Sequence, residues 1–149
     1  SVVTMQLDEV LAVVCLSGIL ERHPKLNIVL GESGLGWIPY VLEKMDEKYK
    51  EYATNTRDYR GEIKPTDLFH RQVFATFEEE VLGVDMIPLI GADSIMWASD
   101  YPHPDSTWPN SVDYVQKALS GLTEEDRSRI LWGNAAKVYH VKDPIKARK

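Results

Sequence analysis

The sequence predicts an α/β chain built from parallel βα units, and three observations carry that reading. Short apolar β-type runs at residues 26–30, 72–77 and 94–99 alternate with segments of helical periodicity. No hairpin signal joins any two of the runs. The third run, Ser94-Ile95-Met96-Trp97-Ala98-Ser99, is apolar on both faces, as in a parallel sheet covered on both sides. The resulting order is α-β-α-β-α-β-α-α, the signature of consecutive βα units.

Taken in order, Thr4 to Glu21 carries Leu7, Leu11, Val14 and Gly18 at helical spacing, with Val10 and Val13 widening the stripe. His23-Pro24 ends it, because the residue before proline is pushed out of the helical region. Leu26-Asn27-Ile28-Val29-Leu30 is the first β-run, bounded by Gly31 and Gly34. From Trp37 the period is helical again: Trp37, Val41, Met45 and Tyr49 share a face, and Pro39 suits a first turn where its missing N–H costs nothing. A polar stretch from Thr54 to Lys64 and a turn at Pro65-Thr66-Asp67 lead to the second run, Gln72 to Phe77. Val81 to Ile90 is a short helix strained by Gly83 and Pro88. Trp108 to Leu119 is a helix with Ser106 or Thr107 as N-cap, Pro109 in its first turn and Gly121 just past its end. Thr123-Glu124-Glu125-Asp126 opens the last helical segment as an approximate capping box, with Asp at its fourth position.

At 149 residues, 44% hydrophobic and 27% charged, the chain is expected to form one soluble domain, residues 1–149, with a sizeable core. Ser1 opens part-way into a helix lead-in, so a longer parent chain is expected. The longest apolar run, Val10 to Leu16, is too short to cross a bilayer, and no secretory leader pattern is seen. With 17 basic and 23 acidic residues the formal charge is −6, and no Lys/Arg cluster exceeds the terminal Lys146-Ala147-Arg148-Lys149, so a nucleic-acid partner is not expected. The single cysteine, Cys15, sits in the apolar run as a small buried hydrophobe. A chain without internal disulfides fits a reducing cytoplasm.

Each β-run ends in acid: Glu32 after the first, Glu78 and Glu79 after the second, Asp100 after the third. Carboxyl ends of parallel strands are where ligands and catalysis gather, since strands fix geometry and loops supply chemistry. The other reading is that these acids complement the dipoles of the helices that follow. Asp100 is the stronger site candidate, because it follows the doubly apolar strand and is held by Tyr101-Pro102. A carboxylate there can ligate a divalent metal or take a proton from metal-bound water. His103, three residues on, can ligate, shuttle a proton or bind substrate, whereas His23, His70 and His140 look like surface or helix-end residues.

Four ordered segments resemble the C-terminal half of the amidohydrolase-related family, which includes the aminocarboxymuconate semialdehyde decarboxylase group. They are Pro24-Lys25-Leu26-Asn27-Ile28-Val29-Leu30-Gly31-Glu32-Ser33-Gly34, Trp37-Ile38-Pro39, Trp97-Ala98-Ser99-Asp100-Tyr101-Pro102-His103 and Ile130-Leu131-Trp132-Gly133-Asn134-Ala135-Ala136. The resemblance implies a (β/α)8 TIM barrel of the metallo-dependent hydrolase type, with the three runs as strands six, seven and eight. It also implies a divalent metal, zinc first and manganese second, bound at the barrel mouth by a His-x-His pair on strand one, a histidine on strand five and a strand-eight aspartate. Asp100 matches that aspartate. Glu32 stands where decarboxylase-like members carry a catalytic histidine, which turns the expectation toward hydrolysis. No His-x-His occurs in the chain, and a complete barrel typically needs about 250 residues, so this is expected to be its last three strands.

The expected function is therefore that of a metal-dependent hydrolase acting on a small organic molecule through metal-activated water, with Asp100 as metal ligand and catalytic acid–base group. Glu32 is a second catalytic acid, and His103 and Trp108 shape the substrate mouth. The alternatives are a decarboxylase of the aminocarboxymuconate semialdehyde type, or a non-catalytic piece that buries its strand edges by self-association. An unfinished sheet favours a homo-oligomer in either case.

Overall fold

The computed structural model describes residues 7–55 and 62–142. Three strands, β1 (Ile28–Leu30), β2 (Val73–Phe77) and β3 (Ile95–Trp97), form a parallel sheet in sequence order. Ile28 pairs with Val73 and Leu30 with Ala75; Ala75 pairs in turn with Ile95, and Phe77 with Trp97. Strand alternation sends Ile28, Leu30, Val73, Ala75, Phe77 and Ile95 into the main helix-packed core. Phe74 and Met96 point the other way and are buried too, so the sheet is apolar on both faces as predicted.

The strands are shorter than their apolar runs, and β1 shows why. Gln72, almost fully buried, donates from Nε2 to the carbonyls of His23 (2.8 Å) and Leu26 (2.7 Å). The Leu26 carbonyl thus meets a side chain, and pairing begins two residues later at Ile28.

The first helical segment is two helices, α1 (Leu7–Leu16) and α2 (Ile19–Arg22), while Thr4 to Gln6 lie outside the described residues. The break falls at Gly18, whose φ of 72° is the left-handed conformation that glycine adopts without steric cost. Leu11 and Cys15 of α1 and Leu20 of α2 reach the core. Burial, and next the charge of Asp46, push the Cys15 thiol up to about 12, so it stays protonated and behaves as the small hydrophobe expected of it.

The helix beginning at Trp37 is α3 (Ile38–Asn55), burying Ile38, Leu42 and Met45. The predicted turn at Pro65-Thr66-Asp67 is instead the start of a helix, α4 (Pro65–Gln72). Its cap comes from α3: the Asp46 carboxylate accepts from the Thr66 N–H (3.1 Å) and hydroxyl (2.7 Å) and pairs with Lys64 Nζ at 2.7 Å. Nothing local signals a cap supplied from 20 residues away.

Burial alone would raise the Asp46 carboxyl, but Lys64 and the two Thr66 bonds outweigh it and hold it below the ordinary aspartate range. A depressed carboxyl stabilises the fold fully above its unfolded value, and that contribution disappears as pH falls through the lower folded value. Wild type and Asp46→Asn should therefore differ in melting temperature near neutrality and converge as the pH falls through the lowered folded value. A gap that is constant with pH would rule out the charge as the cause.

The predicted helix over Val81–Ile90 is two single turns, α5 (Leu82–Asp85) and α6 (Ile87–Ile90), closed by Gly91 at φ 87°. A 3-10 turn, Ala92–Ser94, delivers the chain into β3. Helix α7 runs from Ser111 to Ala118, three residues later than the predicted start, because Ser106 and Thr107 are engaged in the loop before it. Pro109 accordingly lies ahead of the helix, after a cis peptide.

Thr123 caps α8 (Glu124–Ser128), accepting from the Asp126 N–H at 3.1 Å. Asp126 returns the contact to the Thr123 hydroxyl at 2.8 Å, so the box closes side chain to side chain. A π-helical turn, Arg129–Gly133, leads into α9 (Asn134–Val138). Asn134 is buried and donates from Nδ2 to the carbonyls of Ala92 and Ile95, both at 2.7 Å. One side chain therefore pins the C-terminal segment to the entry of β3.

Candidate active site

Parallel strands in sequence order place all three carboxyl ends on one edge, and the loops leaving them carry Glu32, Glu78–Glu80 and Asp100. A cleft of about 330 Å³ opens there, lined by Glu32, Ser33, Trp37, Glu78 and Asp105 among others. Glu32 and Asp100 both adopt positive φ, 51° and 56°. Left-handed backbone at a non-glycine residue carries a strain that the surroundings must hold, and such residues cluster at functional sites; among the described residues His140 shares it at φ 54°.

The Glu32 end is held by its own N–H, which donates to Thr76 Oγ1 at 2.8 Å. Buried Ser33 follows, its hydroxyl donating to the Thr76 carbonyl at 3.1 Å, and the Trp37 indole donates to the Ser33 carbonyl at 2.7 Å. At the other end, Asp100 Oδ2 meets His103 Nδ1 at 3.0 Å. The loop closes on the Ser99 carbonyl, which accepts from the Ser106 hydroxyl (2.7 Å) and the Thr107 N–H (3.2 Å). Asp100 is the sheltered partner, with a side chain 20% exposed against 61% for His103. Asp100, His103 and Trp108 are not among the residues that line the cleft; Trp108 is exposed and edge-on to Tyr101, with ring centroids 5.7 Å apart.

Electrostatics tie the three loops together at Glu78. Partial burial raises its carboxyl above the ordinary glutamate range, the charges of Asp100, Glu32 and Asp105 add to the rise, and His103 opposes it. Glu78 therefore holds a proton more readily than an ordinary glutamate. Its backbone carbonyl accepts from the Trp97 indole at 3.1 Å, fixing the loop against β3.

The third acid of the run, Glu80, has a separate task that its sequence position does not reveal. Its carboxylate accepts from the Leu35 N–H at 2.7 Å and the Gly36 N–H at 3.0 Å, just ahead of α3. The dipole-complementing role expected of this acidic run therefore falls on Glu80, and toward α3 rather than the helix that follows it. His23, His70 and His140 are exposed. Among the described residues no three His, Cys, Asp or Glu side chains converge to hold a metal ion. Asp100 and His103 offer at most part of a ligand set, and a catalytic zinc site wants three protein ligands. The described residues alone therefore do not fit the implied metal.

A family model described as Amidohydrolase matches residues 9–141. The chain belongs to the amidohydrolase family. Among curated relatives of this amidohydrolase, the gamma-resorcylate decarboxylase of Polaromonas sp. (strain JS666) is 30% identical over 127 residues, covering 83% of this chain and 37% of the relative. The gamma-resorcylate decarboxylase of Rhizobium sp. (strain MTP-10005) is 30% identical over 135 residues with the same coverage. The chain thus spans little more than a third of the length of the curated relatives it matches. Among solved structures, 5-carboxyvanillate decarboxylase from Sphingomonas paucimobilis superposes with a TM-score of 0.71 at 26% identity, over 88% of this chain and 38% of that one. The dihydroxybenzoic acid decarboxylase of Polaromonas sp. JS666, solved with manganese and 2-nitroresorcinol, reaches a TM-score of 0.73 at 23% identity, which bears on the fold alone. The mixed α/β architecture with a small parallel sheet is compatible with part of a TIM barrel. Among the described residues no helix is long and apolar enough to cross a membrane.

Proposed function

We propose that residues 1–149 form the C-terminal part, strands six to eight, of a divalent-metal-dependent decarboxylase of hydroxylated aromatic acids. The observation that carries this reading is the convergence of Glu32, Glu78 and Asp100 on one strand edge, in a chain whose curated relatives are gamma-resorcylate decarboxylases. Those relatives favour carbon–carbon cleavage over the hydrolysis expected from Glu32. In this reading Asp100 gives one oxygen ligand to the metal, zinc or manganese, and the remaining ligands come from outside the described residues.

Charge supports the same assignment. Glu78 is raised first by burial and then by the charges of Asp100, Glu32 and Asp105, and a benzoate entering beside them would add a further negative charge. A divalent cation, held with ligands from outside the described residues, would offset that charge.

Decarboxylation breaks the bond between the ring carbon and the carboxylate, releases carbon dioxide and leaves an electron pair on the ring carbon, which takes up a proton. The edge acids are placed to handle that proton: Glu78 holds one readily, Glu32 projects from the neighbouring loop, and Asp100 is oriented by His103. Trp108 and His103, both exposed on the loop after β3, would be free to contact the aromatic ring of the substrate.

The test is direct. The intact protein, loaded in turn with zinc and with manganese, should release carbon dioxide from 2,6-dihydroxybenzoate and lose that activity after chelation. Turnover of ester or amide substrates with no release of carbon dioxide from hydroxybenzoates would restore the hydrolase reading.

A further inference from the structure

We propose that Glu80 is a positioning residue for the reaction, holding the loop that carries Glu32 in its working conformation; the inference rests on the decarboxylase reading. Glu80 itself does not line up with Glu32 and Asp100 as a reacting acid. Its carboxylate is turned toward backbone, spending both oxygens on the N–H groups of Leu35 (2.7 Å) and Gly36 (3.0 Å).

Three features show that the surroundings are shaped around this carboxylate. A Cβ at Gly36 would crowd Glu80 Oε1 at 3.2 Å, and one at Gly83 would stand 2.1 Å from Oε2, so a side chain at Gly83 would displace the Glu80 carboxylate from its present place. Gly34, at φ 62°, makes the turn that presents the two amides. On the far side the Glu80 N–H donates to the Tyr114 hydroxyl at 2.8 Å, tying the same residue to α7. The loop after β2 thus grips the loop after β1 and the helix following the β3 loop.

The consequence for Glu32 is mechanical. The Glu32–Trp37 segment is fastened near Glu32 and Ser33 by Thr76, and near Leu35 and Gly36 by Glu80. Glu32 sits between strand and clasp in the left-handed conformation. With the clasp released, the segment keeps the Trp37 bond to the Ser33 carbonyl and the burial of Leu35, but it loses both bonds that hold the Leu35 and Gly36 amides, so the left-handed conformation of Glu32 is less firmly held.

The experiment compares wild type, Glu80→Gln and the milder Tyr114→Phe in the intact protein. It measures kcat and KM on 2,6-dihydroxybenzoate, metal content, melting temperature, and the fluorine signal of Trp37 after fluorotryptophan labelling, assigned with Trp37→Phe. Trp37 reports the loop because its indole bonds the Ser33 carbonyl. Glu80→Gln should lower kcat roughly tenfold, as sub-ångström misplacement of a reacting group does, with KM and metal content nearly unchanged and the Trp37 signal shifted. Tyr114→Phe should move both readouts the same way by less. A residue with only a structural role would lower the melting temperature and leave kcat per folded molecule intact. Unchanged kcat overturns the proposal, whether or not the Trp37 signal moves. Should the wild-type protein itself fail to act on 2,6-dihydroxybenzoate, the decarboxylase reading falls separately, and an unmoved Trp37 signal in Glu80→Gln would then refute the clasp.

Discussion

Asp100→Ala in the intact protein is expected to reduce turnover and metal content together, each by more than about a hundredfold, since even outer-shell partners of metal ligands cost up to that much. Asp100 is sheltered, held in left-handed backbone next to a loop closed on the Ser99 carbonyl, and its carboxylate meets His103 Nδ1. Asp100→Asn keeps the shape and removes the charge, and it should lose nearly as much. His103→Ala should cost far less, roughly tenfold, because His103 is mostly exposed and orients Asp100 through a single contact. The measurement is elemental analysis and initial rate on the same samples. Full metal and full turnover in Asp100→Ala would remove this carboxylate from the site.

The second large effect is on stability. Asn134→Ala should lower the melting temperature by roughly 2–10 °C, from about 1–3 kcal/mol for the Ile95 carbonyl left without its donor and about 2–4 °C per kcal/mol in a domain of this size. The Ala92 carbonyl keeps the Ile95 N–H, whereas the Ile95 carbonyl, at the start of β3, takes its side-chain donor from Asn134. Asn134→Asp is the sharper test: it preserves volume but presents oxygens to two carbonyls, so it should be at least as damaging. A melting curve unchanged in both variants would show that the C-terminal segment is anchored elsewhere.

The core helices and strands were legible because each is written locally. Alternation and helical period are short-range signals, and the doubly apolar run around Met96 could only be a strand buried on both faces. Cys15 was predictable on the same ground. Glu32 and Asp100 could be picked out as strand-end acids, and His103 by its spacing to Asp100. The resemblance in the segments around Glu32, Trp37, Asp100 and Asn134 pointed to the family that the comparison then established. It was less able to separate hydrolysis from decarboxylation, because substituting one residue, Glu32, was given more weight than the relatives support.

What escaped the sequence were the polar side chains that act at a distance. Gln72 shortens β1 by taking the Leu26 carbonyl from 46 residues away. Asp46 converts a predicted turn into α4 by capping it across 20 residues. Glu80, next to the strand-end acids Glu78 and Glu79, serves backbone amides 44 and 45 residues earlier.

The sequence by itself determined the order of elements, the parallel sheet, the buried faces and the edge on which the acids gather. Those properties follow from hydrophobic periodicity and from the handful of residues that punctuate it. Only the tertiary structure decided where each strand begins, which acid binds backbone amides, and which loops are bonded to one another. A buried donor or acceptor takes whatever partner the fold brings within about 3 Å. Proximity of that kind is a property of the packed chain, with no counterpart in the spacing of its letters.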